Sequence, residues 1–234
     1  MTSKRLALFD CDGTLADSQH MIVDTMQAAF EKCGHCAPDP VAIRTRIGLS
    51  LPHMVKAIVP SFSGPQLDEM VETYRETFFS ARNAAGATPE PLYEGIVQAL
   101  KTLSARGWLL GVATGKSQRG LLRLLDAHDL TGMFITLQTA DFHPSKPDPS
   151  MVYAAMRDAD VTPSSTIVIG DTGFDMAMAC SAGAGALGVR WGYHSESELR
   201  ADGARAVAQK PSDLPDLLDQ LQATGNIEHR MTPP

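Results

Sequence analysis

The chain contains no run of about 18 apolar residues, so nothing in it reads as a membrane-spanning helix. Only a four-residue apolar run follows Lys4 and Arg5, too short for a secretory leader, and the protein is expected in the cytoplasm. Basic residues are in deficit: 20 Lys and Arg stand against 27 Asp and Glu, a formal charge of −7. That balance argues against nucleic acid or an anionic membrane as a partner. Cysteine is scarce, at four residues. Cys33 and Cys36 form a lone C-x-x-C, with Cys11 and Cys180 isolated from each other. A structural zinc site uses four ligands, usually as two such pairs. The pair is therefore read as two free thiols where a helix ends in a Gly turn, as a reducing compartment allows. No internal repeat and no low-complexity stretch occurs.

What is present suffices for a large core: 234 residues, 44% of them hydrophobic. That length suits one large domain, or one main domain with an insertion. Five short apolar runs read as buried strands, at residues 6–9, 109–113, 134–137, 166–169 and 186–189. Runs of this kind mark parallel strands covered on both faces. Helical periods separate them, with Ile96, Val97, Leu100 and Leu103 on one face and Leu121, Leu122, Leu124 and Leu125 on another. Asp148-Pro149 should open a helix, with Asp148 as N-cap. Ser195-Glu196-Ser197-Glu198 has the pattern of a capping box. The alternation implies an α/β fold: a Rossmann-like open parallel sheet with helices on both faces.

One region breaks the alternation. About ninety residues separate the first two strands, and they read as helices at 18–32, 40–46, 52–58 and 66–82, far more than a crossover needs. The expected division is an α/β core of residues 1–17 and 88–224, an inserted helical subdomain of 18–87, and a frayed tail of 225–234.

Two motifs are decoys. Gly183-Ala184-Gly185-Ala186-Leu187-Gly188 matches G-x-G-x-x-G, but it follows a helix and enters a strand, the reverse of a dinucleotide fingerprint. Gly111-Val112-Ala113-Thr114-Gly115-Lys116-Ser117 is one residue short of a P-loop, although a phosphate could still meet backbone N–H groups there.

The chemistry gathers at strand ends. Asp10 and Asp12 follow the first strand, Thr114 and Gly115 the second, Lys146 the third, and Asp171 and Asp175 the fourth. Carboxylates are costly to bury unpaired, so acids at two strand ends point to a divalent cation. A hydroxyl, a cation held between Pro144 and Pro147, and several acids suit phosphoryl transfer.

In these four motifs, in this order, the chain resembles a haloacid dehalogenase superfamily hydrolase, subfamily IA, of the phosphoglycolate-phosphatase-like branch. The motifs are Asp10-Cys11-Asp12-Gly13-Thr14, Thr114, Lys146-Pro147 and Gly170-Asp171-Thr172-Gly173-Phe174-Asp175, and the likeness runs from about Leu6 to Leu218. The resemblance implies a helical cap after the first motif and a Mg²⁺-dependent phosphatase acting on a small phosphorylated metabolite. It implies Asp10 as the nucleophile that forms an aspartyl-phosphate, and Asp12 as general acid and base. Thr114, Gly115 and Lys146 would bind the phosphoryl group. Asp10, Asp12 (through its backbone carbonyl) and Asp171 would hold Mg²⁺, with Asp175 as a further ligand or an outer-shell orienter.

Asp12 argues against dehalogenation, since a halide needs no acid. Phosphonatases carry a Schiff-base lysine, and sugar phosphomutases an arginine, near the position where Leu51-Pro52 stands, which favours simple hydrolysis. The substrate is expected to be of phosphoglycolate or sugar-phosphate type. The alternatives are a phosphomutase of the β-phosphoglucomutase type, or a non-catalytic binding protein on the same fold. Candidate substrate contacts in the cap are Arg44, Arg46, His53 and Lys56, while Arg75 and Arg82 are read as surface residues and Asp17 as a helix cap. Either a monomer or a homodimer is expected, and His194 has no assigned role.

Overall fold

The computed structural model describes residues 4–84 and 88–231. Strands β1 (Arg5–Phe9), β2 (Trp108–Thr114), β3 (Thr136–Thr139), β4 (Thr166–Gly170), β5 (Gly185–Val189) and β6 (Ala206–Ala208) form one parallel sheet in the order β3-β2-β1-β4-β5-β6. This is the Rossmann-like order whose winding reverses at β1 and β4, and ligands of such sheets bind in the crevice beyond that reversal. Phe9 pairs with Val112 on one side and Ile169 on the other, so the residues after β1 emerge between the ends of β2 and β4.

Alternation along β1 decides the two cores. Ala7 and Phe9 join a cluster with Leu100 and Leu103 of α5 (Ile96–Ala105), Leu121 and Leu125 of α6 (Gln118–Ala127) and Leu218 of α10 (Leu214–Met231). Leu6 and Leu8 join the opposite one, with Met151 of α7 (Ser150–Ala159), Met176 of α8 (Gly173–Ser181) and Leu199 of α9 (Glu196–Ala201).

Between β1 and α5 lie α1 (Gln19–Lys32), α2 (Pro40–Arg44), α3 (Leu51–Ile58) and α4 (Pro65–Asn83). They pack around their own apolar cluster, which includes Met26, Phe30, Val55 and Met70. Tyr193, from the loop after β5, also enters that cluster and ties the insertion to the sheet end.

Several expectations need correction. The third strand starts at Thr136, not 134: half-exposed Ile135 donates its N–H to the Leu110 carbonyl at 2.8 Å, and residue pairing with β2 begins at Thr136. β6 was not anticipated: three residues at a sheet edge make no apolar run. Asp17 is exposed, and the N-cap of α1 is Ser18, whose hydroxyl turns to Asp12 instead of capping. Helix α7 opens one residue late: Pro149 is its N-cap, and Asp148 accepts from the Ser150 N–H at 2.9 Å. Helix α10 runs Leu214–Met231 and is anchored by Leu214 and Leu218; residues 232–234 lie outside the described residues. The Ser195–Glu198 capping box forms as expected. Gly183, with φ +71, sits between α8 and β5, which makes the glycine-rich decoy a helix-to-strand turn. Cys33 and Cys36 are free thiols at the end of α1, where Gly34 turns the chain at φ +76.

Candidate active site

Four loops converge beyond the carboxyl ends of β1, β2, β3 and β4. Asp10 leaves β1 with its N–H bonded to the Ile169 carbonyl at 2.8 Å, which holds it beside β4. Asp171 follows β4 directly, and Asp175 is the third residue of α8. The Asp175 carboxylate accepts from the N–H and hydroxyl of Thr172, so the capping box that starts α8 also aims this acid at the sheet end. One carboxylate oxygen from each of Asp10, Asp171 and Asp175 lies within 4.8 Å of the others, and all three residues are buried.

Lys146 is the counter-charge. Its Nζ lies 2.8 Å from Asp10 and 2.6 Å from Asp175, with the side chain fully enclosed. Burial alone would lower the lysine pKa, but the two carboxylates outweigh it and hold it above the usual range. One ammonium does not neutralise three acids. Burial chiefly, opposed by Lys146 and reinforced by Asp175, pushes Asp10 up to about 7. Asp171 is raised well above its ordinary value by burial and by Asp10 and Asp175, despite hydrogen bonds from the Thr14 hydroxyl and the Tyr193 N–H.

Both Asp10 oxygens are buried without a well-oriented hydrogen-bond donor. These carboxylate oxygens, one of them facing only the Lys146 ammonium, form beside a second and a third acid the hard-oxygen donor set that a divalent cation such as Mg²⁺ accepts. The residues present fit the ion that the sequence suggested. Glycines make room for the acids: a Cβ on Gly13, where φ is +90, would lie 2.2 Å from an Asp171 oxygen, and one on Gly170 would lie 2.3 Å from the Asp175 carboxyl carbon.

The Asp12 side chain stands apart from this cluster. It accepts from the Ser18 hydroxyl at 2.5 Å and from the Lys116 ammonium at 2.8 Å. Lys116 also lies 3.5 Å from buried Glu90, which Arg82 of α4 holds at 2.8 Å. Burial works to lower the Lys116 pKa, but Asp12 and Glu90 more than offset it and raise it. This chain of charges links Asp12 to the last turn of α4. Sequence reasoning missed it. Lys116 was visible only inside the P-loop decoy, and nothing marked Glu90.

A cavity of about 620 Å³ separates the sheet end from the insertion, and Asp12, Gly115 and Lys116 line its inner end. A Cβ on Gly115 would lie 2.6 Å from the carbonyl oxygens of Gly48 and Leu49, so only glycine lets the insertion loop come this close. The Ser50 N–H donates to the Ser145 hydroxyl at 2.9 Å and fastens the same loop to the segment that carries Lys146. Buried Thr114 accepts from the Lys116 N–H at 3.2 Å.

Of the four candidate contacts in the insertion, His53 lines the cavity and bonds Ser50 at 2.8 Å. Arg44, Arg46 and Lys56 do not line it. Arg46 donates to the carbonyls of Ala42 and Ala57, and Lys56 to that of Phe62, so both are committed inside the insertion. Arg75 and Arg82, read as surface residues, line the cavity with Phe78 and Phe79. Their spacing puts them on one stripe of α4, but only the packing of α4 over the sheet end makes that stripe a cavity wall. His194 acquires a place as well. Its Nδ1 accepts from the Gly173 N–H at 3.1 Å, so Nε2 carries the hydrogen and donates to the Thr45 carbonyl, also at 3.1 Å, bridging α8 and the insertion.

Residues 7–189 match the family model of the haloacid dehalogenase-like hydrolases. The chain is 33% identical over 217 residues to the Dickeya dadantii protein named probable phosphatase IndB, covering 90% of this chain and 92% of that one. It is 28% identical over 203 residues to a phosphoglycolate phosphatase of Psychrobacter arcticus, covering 84% and 88%. In fold it is similar to the crystal structure of a predicted phosphatase from Clostridium acetobutylicum, with a TM-score of 0.83, 24% identity, and 94% and 100% of the two chains covered.

Proposed function

The chain belongs to the haloacid dehalogenase-like hydrolases and is a phosphomonoester hydrolase of that family, and from that premise we propose that it acts through Asp10 as nucleophile with Mg²⁺ as cofactor. The observation that carries this reading is the buried trio Asp10, Asp171 and Asp175 facing Lys146 where the winding of the sheet reverses.

Asp10, Asp171 and Asp175, with the Asp12 backbone carbonyl, are the residues that would hold Mg²⁺. Bound there, the ion would supply charge neutralisation between the nucleophile and the phosphoryl oxygens. The rest falls to the chain. Thr114 and Gly115 seat the phosphoryl group at the inner end of the cavity, and Lys146 binds a phosphoryl oxygen and keeps Asp10 aligned. Asp10 attacks phosphorus, and the leaving oxygen takes a proton from Asp12. Water then attacks the aspartyl-phosphate while Asp12 takes a proton back. Residues 18–87 act as a cap that covers the site and chooses the substrate, over a core of residues 1–17 and 88–224. The substrate class is a small phosphomonoester of phosphoglycolate or sugar-phosphate type. The protein works in the cytoplasm as a monomer or homodimer. Leu51 and Pro52 lining the cavity, where a mutase would carry an arginine, support hydrolysis over phosphate transfer within a sugar.

Phosphate release from a panel of phosphomonoesters, with Mg²⁺ and with EDTA, tests this beside Asp10→Asn. Metal-dependent release that the substitution abolishes is expected. Release that survives it would overturn Asp10 as nucleophile.

A further inference from the structure

Three cations on the cavity wall have carboxylate partners: Lys116 has Asp12 and Glu90, Arg82 has Glu90, and Arg75 has Glu72 on the surface. Two have none among the described residues. Arg119 and Arg123 lie one turn apart on α6, and both line the cavity. Their guanidinium carbons stand 4.5 Å and 5.1 Å from the centre of the same ring, Phe79 of α4. Among the described residues, neither has a carboxylate within ion-pair distance.

Arg119 is exposed and Arg123 half-buried, so water solvates both, but a bound anion would relieve their mutual repulsion. Like charges four residues apart on a helix destabilise it. A cation–π contact with a half-exposed Phe returns little. The chain carries a net charge of −7, so unpaired arginines are not forced by an excess of base. Position matters too. The phosphoryl group is to be seated at Gly115, before α6 begins, and helix rise carries Arg123 about 6 Å beyond Arg119, away from that end. A two-carbon acid would keep both its anions near Lys116. A cavity of about 620 Å³ is in the usual range for ligands of ring size or larger.

We propose that Arg119 and Arg123, converging on Phe79, form a second anion subsite at the outer end of the cavity, and that the substrate is a five- or six-carbon phosphomonoester whose far end carries a carboxylate or a second phosphate. The inference rests on the phosphatase reading above and goes past it to the leaving group. The guanidinium pair holds the far anion by charge-assisted hydrogen bonds. Phe79 supports the pair from the cap side, so binding of the far anion also joins α4 to α6.

The test compares six-carbon 6-phosphates that differ in the group at C1, with glucitol 6-phosphate as the neutral open-chain partner of 6-phosphogluconate. Glucose 6-phosphate lacks the second anion, 6-phosphogluconate carries a carboxylate, and glucose 1,6-bisphosphate carries a phosphate. Wild-type kcat/KM should favour at least one doubly anionic substrate over its partner without the second anion by about tenfold or more, mainly through KM. The anion that gains more identifies its chemistry. Arg119→Ala with Arg123→Ala should bring that ratio near one, and Arg119→Lys with Arg123→Lys should retain part of it, which a structural defect would not do. A wild-type ratio near one, or a ratio untouched by the double alanine variant, overturns the subsite. Calorimetric binding of 6-phosphogluconate and glucose 1,6-bisphosphate to Asp10→Asn separates the two readings. Arg-dependent binding of either without turnover by the wild type keeps the subsite and faults the phosphatase, whereas turnover with no Arg dependence does the reverse.

Discussion

The ammonium of Lys116 lies 2.8 Å from the carboxylate of Asp12, and the same lysine faces buried Glu90 at 3.5 Å. The contact joins the proposed general acid to the segment that returns from the insertion to the core. Lys116→Met would leave two acids facing each other in an enclosed space. Breaking a buried pair by removing one partner costs about 3–5 kcal/mol, and urea unfolding should show a loss of this order. Misplacing Asp12 should also lower kcat by about 10²-fold. Full turnover in the folded variant would remove Lys116 from any part in positioning Asp12.

Gly115 touches the carbonyls of Gly48 and Leu49. Gly115→Ala must push the insertion loop outward, at a cost of about 1–3 kcal/mol. Steady-state kinetics should show a raised KM, while Mg²⁺ affinity stays as it was, because Asp10, Asp171 and Asp175 are untouched. Parallel losses in both would mean that the loop shift spreads into the acidic cluster.

Three acids against one lysine leave the cluster short of positive charge. Mg²⁺ at about a hundredfold above its Kd should therefore raise the melting temperature by about 5–10 °C over protein in EDTA. Asp171→Asn should remove most of that shift. Equal melting with and without Mg²⁺ would contradict the assignment of these acids as its ligands.

His143 bonds Ser150 through Nδ1 at 2.8 Å and Gln138 through Nε2 at 2.7 Å. Burial and the Arg157 charge lower its pKa below the usual 6.5. A depressed folded value means that the unfolded chain takes up the proton first. The contribution is thus complete above pH 6.5 and is lost as pH falls through the folded value. Thermal melts of wild type and His143→Asn should differ more at pH 7.5 than at pH 5.5; a gap that widens on acidification would reverse the sign.

The acids at strand ends were legible because each follows an apolar run that can only be a buried strand: Leu6 to Phe9 before Asp10, Thr166 to Ile169 before Asp171. Lys146 was legible from the prolines around it. Lys116, Glu90 and the role of Arg82 were not. An ion pair between the second strand end and a return loop leaves no period and no motif. Arg46 and Lys56 looked available because charge alone does not reveal that backbone carbonyls of the insertion already hold them.

By itself, the sequence determined where five of the six strands lie to within about two residues, that helices separate the first two, and which residue types stand at the strand ends, because these depend on local period and composition. Tertiary structure decided that β1 lies between β2 and β4, that Asp10 and Asp171 therefore share one site, and which stripe of α4 faces it. Parallel strands pair across long sequence separations, and helix faces acquire partners only on packing. Neither is written in any local pattern.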